Sequence, residues 1–496
     1  MVDNRVPVIV GVAHHVNRTT RPERVVDAVT LMTEALRSAA TDAGAPALLE
    51  RLDMVAVVQG LWRWPDPARL LAHAVGSPGA RTVLAAACGS TPQLLVADAA
   101  ARISAGAADV VAVCGGEWVH GRSLLRNAGV KAQVTPQLEG RPDEVGQIHP
   151  YESGEEIGLG FTKPLFIYPL IESAIRARRH ESLADNRRRI SGIVSRMSQV
   201  AAVNPAAWRA DAWSPDDVAE VSDDNPMVAF PYTKRMVSNP KVDMASAILL
   251  TSVGMARALG IPAERLVFPH SSAHLHDPHF FSEMDQLAES PNMALAVRTA
   301  LDLAQSTIDD IAVLDLYSCF PAAVQIEADS LGLDTSDDRP LTVSGGMASF
   351  GGPIANYVGH VLVDLVRTLR ERPGERGLCV ANGGYLNRPA AAVYDTRPPS
   401  RPFRRADLSQ QSRSLPHRRA VFGVETRSTV ESATVLATRD IVHPGLVTGL
   451  LPSGERILAW TDDPELTERV RTEEVVGTAM EAGADGRIRS LAPSAA

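Results

Sequence analysis

Thr82-Val83-Leu84-Ala85-Ala86-Ala87-Cys88-Gly89-Ser90-Thr91-Pro92 decides the fold. Its first half is an almost unbroken apolar run, the pattern of a buried strand. The strand runs straight into Cys88-Gly89. Ser90 then offers a hydroxyl cap and Pro92 falls in the first turn of a helix. That helix ends near Gly106, a natural residue for a left-handed C-terminal turn. Residues 109–116, Asp-Val-Val-Ala-Val-Cys-Gly-Gly, form the next strand. Working upstream, residues 7–15 and 52–59 read as strands. Residues 27–44 read as a helix with Ala28, Leu31, Met32, Leu36 and Ala39 on one face. Strands alternating with helices predict a mostly parallel sheet covered on both faces.

A fainter copy of this unit lies further on. Ala35-Leu36 and the strand from Leu52 can be laid over Ala300-Leu301 and the strand Ile311 to Leu314, which suggests two halves of related topology. Between them, residues 118–240 lose the alternation. They contain a helical stretch, Ile171 to Met197, then Trp208, Trp213, Pro215 and Pro226, and read as an insertion over one end of the sheet. Residues 396–416 are rich in Pro, Arg and Ser and read as a linker. From 420 to 492 short β-like runs take over, among them Ser432–Arg439, Gly445–Leu451 and Arg456–Thr461. These predict a small, separable antiparallel β-barrel. The divisions are therefore 1–255 (with the insertion), 256–395, 396–416 and 417–496.

Composition narrows the function. Lys and Arg number 49 against 58 acidic residues, a net charge of −9. A general binder of nucleic acid or anionic membrane shows a basic excess, so both partner classes are excluded. From His417 onward there are 9 basic and 12 acidic residues and one tryptophan, Trp460, so the barrel does not suit single-stranded nucleic acid either. No apolar run is long enough to span a bilayer, and the N-terminus reads as a first strand rather than a signal peptide. Four cysteines in 496 residues do not make a disulfide framework. A cytoplasmic protein with reduced thiols is expected.

Cys88 sits where exposed amides and the helix dipole stabilise a thiolate; a small buried thiol is the competing reading. With the strand before it and Ala108–Glu117 after it, Ala87-Cys88-Gly89-Ser90 resembles the nucleophile region of thiolases. Three later segments agree. Leu316-Tyr317-Ser318-Cys319-Phe320 stands where thiolases carry Asn-Glu-Ala-Phe, or His-Asp-Cys-Phe in the sterol-carrier-protein type. Gly345 to Pro353 stands where they read Gly-Gly, four residues, then Gly-His-Pro. Ala381-Asn382-Gly383-Gly384 stands near their Cys-x-Gly. The resemblance covers about residues 5–395, and the extra C-terminal segment makes the chain most similar to thiolase-like proteins of type 1. It implies two βαβαβαββ halves in five layers, α-β-α-β-α, with an added OB-like barrel. It also implies a loop domain for coenzyme A, an acyl-CoA thioester as substrate or ligand, no cofactor and no metal.

The departures bear on activity. In thiolases a Cys attacks the acyl thioester, the His of Gly-His-Pro activates it, and a second Cys moves a proton. Cys88 keeps the first role. Gly352 stands in place of the His, Ala381 in place of the second Cys, and Tyr317 in place of the oxyanion Asn or His. Cys319 matches the reactive Cys of the sterol-carrier-type motif. Losing a general base costs about 10²–10⁴ in rate, so efficient thiolysis is not expected. Tyr317 can polarise a carbonyl, or exchange a proton if its pKa is lowered; it is expected within about 4–7 Å of the Cys88 sulfur, with Gly352 on the opposite wall. Lys234 is a weak candidate for a coenzyme A phosphate. His270, His274, His276 and His279 lack a paired metal motif and read as a pocket-rim loop. Trp62 and Trp64 read as packing between the halves, and Cys114 and Cys379 as core thiols. The expected function is an acyl-CoA-recognising protein of the acyltransferase superfamily with a degraded catalytic set, in lipid or sterol acyl-CoA metabolism. A retro-aldolase using Tyr317 and a non-catalytic scaffold are the alternatives. Both a homodimer and a monomer stay open.

Overall fold

The computed structural model describes residues 3–146, 150–437 and 444–493. The first half contains β1 (Pro7–Val16), β2 (Met54–Val58), β3 (Arg81–Ala85), β4 (Val110–Trp118) and β5 (Asp143–Val145). After a small hairpin of β6 (Met227–Ala229) and β7 (Tyr232–Thr233), β8 (Asp243–Ser252) returns to the sheet. The order is β1-β8-β4-β2-β3-β5. β2 runs parallel to β3 and β4, and β8 is antiparallel to β4 and β1. The second half holds β9 (Phe268–His274), β10 (Ile311–Asp315), β11 (Arg376–Ala381), β12 (Ala390–Asp395) and β13 (Arg404–Asp407), in the order β10-β11-β12-β9-β13.

Three apolar cores make the five layers. Outside the first sheet lies the Ala28–Asp42 helix, whose Leu31, Met32 and Leu36 pack with Val8, Val55 and Leu249. Asp27 starts it by accepting a hydrogen bond from the Thr30 amide at 2.8 Å, a cap worth about 1 kcal/mol. Between the sheets lie two helices, Thr91–Ser104 and Tyr357–Glu371. Val96, Ala100, Leu362 and Val366 meet Ile9 and Val111 of one sheet and Cys379 and Ala392 of the other. Outside the second sheet, Val297, Ala323 and Ile326 of the Pro291–Leu303 and Pro321–Ser330 helices cover Leu314, Val380 and Ala391. Cys114 and Cys379 are buried in β4 and β11.

Three expectations need correction first. The helical stretch Ile171 to Met197 is two helices, Pro164–Arg178 and Leu183–Val203. The chain turns at His180, whose φ is +52°, and Ser182 caps the second helix. Trp62 and Trp64 do not pack between the halves. They lie in the outer core of the first half with Trp118, and the Trp62 indole donates to the Gly116 carbonyl. Residues 396–416 are not a bare linker, because β13 pairs parallel with β9 as an edge strand. Its four residues are mostly exposed, so they carry no apolar alternation to read.

For the expected barrel, no closed sheet is seen among the described residues. β14 (Ala420–Val421), β15 (Thr426–Val435), β16 (Gly445–Leu450), β17 (Arg456–Thr461), β18 (Ala479–Ala482) and β19 (Ile488–Leu491) take the order β14-β17-β16-β15-β18-β19. β14 joins β17 in parallel, and β17 approaches the start of β19 through a parallel bridge between Trp460 and Arg487, with the Trp460 amide donating to the Gly486 carbonyl at 2.9 Å. The expected run Ser432–Arg439 ends as a strand at Val435, and positions from 438 lie outside the described residues. Nor does this sheet stand apart. Leu436, Leu446 and Leu458 share a core with Ile167, Tyr168 and Ile171 of the insertion. Arg456, fully buried, pairs with Glu431 at 2.7 Å and donates to the Ser282 carbonyl at 3.1 Å.

Candidate active site

Cys88 lies past the end of β3, just ahead of the Thr91–Ser104 helix. Its half-buried thiol contacts the Ser90 hydroxyl at 3.3 Å. A cavity of about 240 Å³ opens over it, lined by Cys88, Tyr151, Tyr168, Tyr317, Cys319, Asn382, Gly383 and Tyr385. Four of the chain's 7 tyrosines therefore converge on one small space. Such a wall is apolar in area but rich in hydroxyl donors.

Two glycines are required by close approach. A Cβ on Gly383 would stand 2.1 Å from the Cys88 sulfur, and one on Gly89 would stand 2.3 Å from the Tyr317 hydroxyl and 2.1 Å from the Asn382 carbonyl. The Ala381-Asn382-Gly383 turn, the Cys88 turn and Tyr317 thus press together with bare backbone between them. Tyr317 faces the same cavity as Cys88, and Cys319 joins it there. Burial raises the Tyr317 hydroxyl well above the usual phenol range, and the neighbouring thiols push the same way. The lowered-pKa role considered for Tyr317 is corrected accordingly: it is a standing donor. The Cys319 thiol is also raised by burial.

Behind Tyr317 sits Glu327, fully buried, which accepts from the Tyr317 amide at 2.6 Å. Burial pushes its carboxyl well above the ordinary range. Asp315 lies nearby, raised to about 7 by burial. It accepts from the Thr342 hydroxyl at 2.8 Å and the Val343 amide at 2.9 Å. These acids stake out the loop that carries Tyr317.

Gly352 does not form the opposite wall; Ile354 and Ala355 do. The Gly352 amide donates to the Asn239 carbonyl at 2.9 Å, and a Cβ there would meet the Ser238 hydroxyl at 2.0 Å. Ile354 has φ +51°, an unfavourable conformation for a β-branched residue that persists only when its surroundings impose it. Ala381 is buried in the core between the sheets, outside the cavity. Lys234 is exposed on a short turn and does not line it. His360 is not a substitute base: it stacks on His14, its Nδ1 lying 2.9 Å from that of His14, which in turn contacts Asp364. Of the histidine group, His270 is buried in β9 against the Arg397 carbonyl and His279 pairs with Asp277. Among the described residues no cluster suited to a metal ion occurs.

Sequence reasoning missed Tyr151, Tyr168 and Tyr385. The Tyr151 hydroxyl donates to the Ala87 carbonyl at 3.2 Å with the Arg388 guanidinium 4.5 Å over its ring. Tyr168 donates to the Gly384 carbonyl and accepts from the Asn382 amide. Tyr385 donates to Glu152. The first two come from the irregular insertion, where the only signal was the scarcity of tyrosine itself.

The fold and the Cys88 cavity define a thiolase-type protein. A model of the thiolase-like protein type 1 additional C-terminal domain matches residues 407–487. The structure is similar to that of a monomeric SCP2-thiolase-like protein type 1 from Mycobacterium smegmatis, with a TM-score of 0.83 and 30% identity over 99% of this chain and 100% of that one. The chain belongs to the SCP2-thiolase-like proteins of type 1. An acetyl-CoA acetyltransferase of Yarrowia lipolytica is 31% identical over 148 residues, 30% of this chain and 34% of the relative. The chain thus spans about a third of the length of the curated relatives it matches. The Ltp2-ChsH2(DUF35) aldolase shares the fold, with a TM-score of 0.59 and 16% identity over 79% of this chain and 98% of that one.

Proposed function

We propose that this protein recognises an acyl-CoA thioester at Cys88 and is a poor thiolase. The observation that carries the reading is the convergence of the Cys88 thiol, the Tyr317 hydroxyl and the Gly383 backbone on one cavity. A thioester carbonyl placed there meets a nucleophile on one side and a phenol donor on another. Such donors aimed at a developing oxyanion are the largest single contribution in many acyl-transfer sites. At the two positions where thiolases carry the activating His and the second Cys, Gly352 supplies only an amide, already bonded, and Ala381 no titratable group. Lys163, exposed just before Pro164 of the cavity lining, is better placed than Lys234 for a coenzyme A phosphate. We assign the protein to cytoplasmic lipid acyl-CoA metabolism. Among the described residues no helix is long and apolar enough to cross a membrane. A monomer is favoured by the likeness to the monomeric SCP2-thiolase-like protein type 1.

The test is calorimetric titration with acetyl-CoA and longer acyl-CoA esters, alongside thiolysis of acetoacetyl-CoA. Micromolar binding without thiolysis, and loss of Cys88 acylation in Cys88→Ser, supports the reading. Thiolysis near 10 s⁻¹, an ordinary enzymatic turnover, sinks the poor-thiolase part; no binding of any thioester sinks the rest. A second reading, retro-aldol cleavage of a thioester-linked substrate, is favoured by the raised Tyr317 phenol, which stays protonated to polarise a carbonyl.

A further inference from the structure

A second cavity, of about 340 Å³, shares Cys88 with the first. It runs away from the site along one face of the Thr91–Ser104 helix. Thr91, Leu94, Asp98 and Arg102 all line it, and their spacing of three and four residues puts them on one side of a helix. From Thr91 to Arg102 the helix rises about 16 Å, so the space is a channel rather than a dimple. Its other walls are largely apolar, with Val83 and Ala85 from β3, Val145 from β5 and Leu275 after β9, and they are broken by His274, His276 and Arg388. Leu94 and Asp98, unlike most of their helix neighbours, are only partly buried.

The two ends differ. One end holds the Cys88 thiol, with the single guanidinium of Arg388 nearby. At the other, Asp98 accepts from Arg102 at 2.6 Å and from Arg405 of β13 at 3.1 Å. Two guanidiniums on one carboxylate leave a net positive charge, and all three groups are partly exposed. A largely apolar channel with two arginines at its far end fits a particular ligand chemistry. Methylenes gain free energy from the walls, and a carboxylate gains charge-assisted hydrogen bonds from the arginines.

We propose that this channel holds an aliphatic chain ending in a carboxylate, with its other end at Cys88. The chain can be the ω-carboxyacyl group of a coenzyme A thioester, which rests on the function proposed above, or a free aliphatic acid, which does not. β13 has a purpose in this account: the strand that looked like linker delivers Arg405 to the channel's far end.

The experiment is calorimetric titration of the full chain with dodecanoate, dodecanedioate, coenzyme A, dodecanoyl-CoA and its ω-carboxy counterpart. Each ω-carboxy ligand is expected to bind about tenfold tighter than its methyl-ended partner, from one charge-assisted bond. Shortening the chain is expected to weaken binding about threefold to fourfold per methylene. Arg405→Ala should erase the ω-carboxy preference and keep the chain-length dependence. Leu94→Trp should fill the channel and weaken the chain-bearing ligands at least tenfold, with the rate of Cys88 labelling unchanged. Ala86→Leu narrows it from the opposite wall and serves if the tryptophan variant does not fold. Plug-sensitive binding of free dodecanedioate with no thioester binding supports the channel and removes the thioester reading. Equal affinity for the methyl- and carboxy-ended ligands, or indifference to both plugs, overturns the proposal.

Discussion

The two halves share a strand plan but not a way of building their share of the site. In the first half β2 is followed by β3, a complete strand that aims Cys88 at a helix start. In the second half β10 is an edge, with no described strand beyond it. The corresponding stretch is a loop, whose one backbone bond at β10's end is the Leu316 amide donating to the Leu341 carbonyl. That loop instead delivers Thr342 and the Val343 amide to Asp315. Regular structure thus positions the nucleophile, whereas loops anchored on buried acids position the donors that face it. A strand-to-helix junction tolerates little change, and a loop can exchange one side chain for another. The three positions that depart from the thiolase pattern, Tyr317, Gly352 and Ala381, all lie in the second half.

The sharpest way to break this division is Gly383→Ala, which drives a methyl into the Cys88 sulfur at 2.1 Å. Overpacking of this kind costs about 1–3 kcal/mol. Labelling of Cys88 is expected to slow at least a hundredfold and acyl-CoA binding to vanish. Normal labelling would mean that the two halves are not locked together at this point.

The buried acids give a pH signature that belongs to the second half. Asp315 titrates near 7 in the folded chain and near 3.9 when unfolded. Its folded pKa is the higher, so the folded state holds the proton longer. Its contribution is fully present below about pH 4 and falls as pH rises to about 7, at roughly 1.4 kcal/mol per unit. Chemical denaturation across that window should show a smaller decline in Asp315→Asn than in the parent. Identical slopes would mean that Asp315 ionises in place, solvated by relaxation of the loop.

How much was legible follows the same division. The strand into Cys88, the flanking helix and β4 were readable because periodicity and caps are local. The five layers came from the resemblance and from a repeat of which only one helix end and one strand could be read. The second half's loop could not be read for contacts: nothing in Gly351-Gly352 announces Ser238, which arrives from the insertion. Tyr151 and Tyr168 likewise come from a segment without period. β13 was misread because an exposed four-residue edge strand looks like any polar stretch. The barrel was expected from runs of β-forming residues, which specify strands but not closure, since closure depends on shear and on which edges meet.

Ser238 gives a smaller test. Gly352→Ala should cost about 1–3 kcal/mol by overpacking against the Ser238 hydroxyl. Adding Ser238→Gly should recover most of it, because the two positions share one space and so are not additive. Gly352→His alone should not restore thiolysis, since the imidazole has no room to start from. If the single histidine variant is stable and thiolytic, the Ser238 contact does not hold in solution and the loss of the base was a matter of one side chain.

The smallest expected effect, and the one that bears most directly on the loop-built half, is Tyr317→Phe. The substitution removes one hydroxyl and little volume, and the Glu327 carboxyl still accepts from the residue 317 amide, so the loop keeps its anchor. Because the Tyr317 hydroxyl is raised by burial, it donates throughout the physiological range and does not act as a base. Loss of one neutral donor costs about 0.5–1.5 kcal/mol, so thioester binding should weaken by no more than about tenfold. Any carbon–carbon cleavage should fall at least tenfold, since a developing oxyanion depends on the donor more than a ground-state carbonyl does. The profile of whatever rate remains should be flat across the pH range in which an activated phenol would titrate. An equal loss in binding and rate would make Tyr317 a ground-state contact only. No loss in either would leave Cys88 and the Gly383 backbone as the whole of the site, and Tyr317 as packing against Tyr357, whose ring meets it edge-on at 5.9 Å.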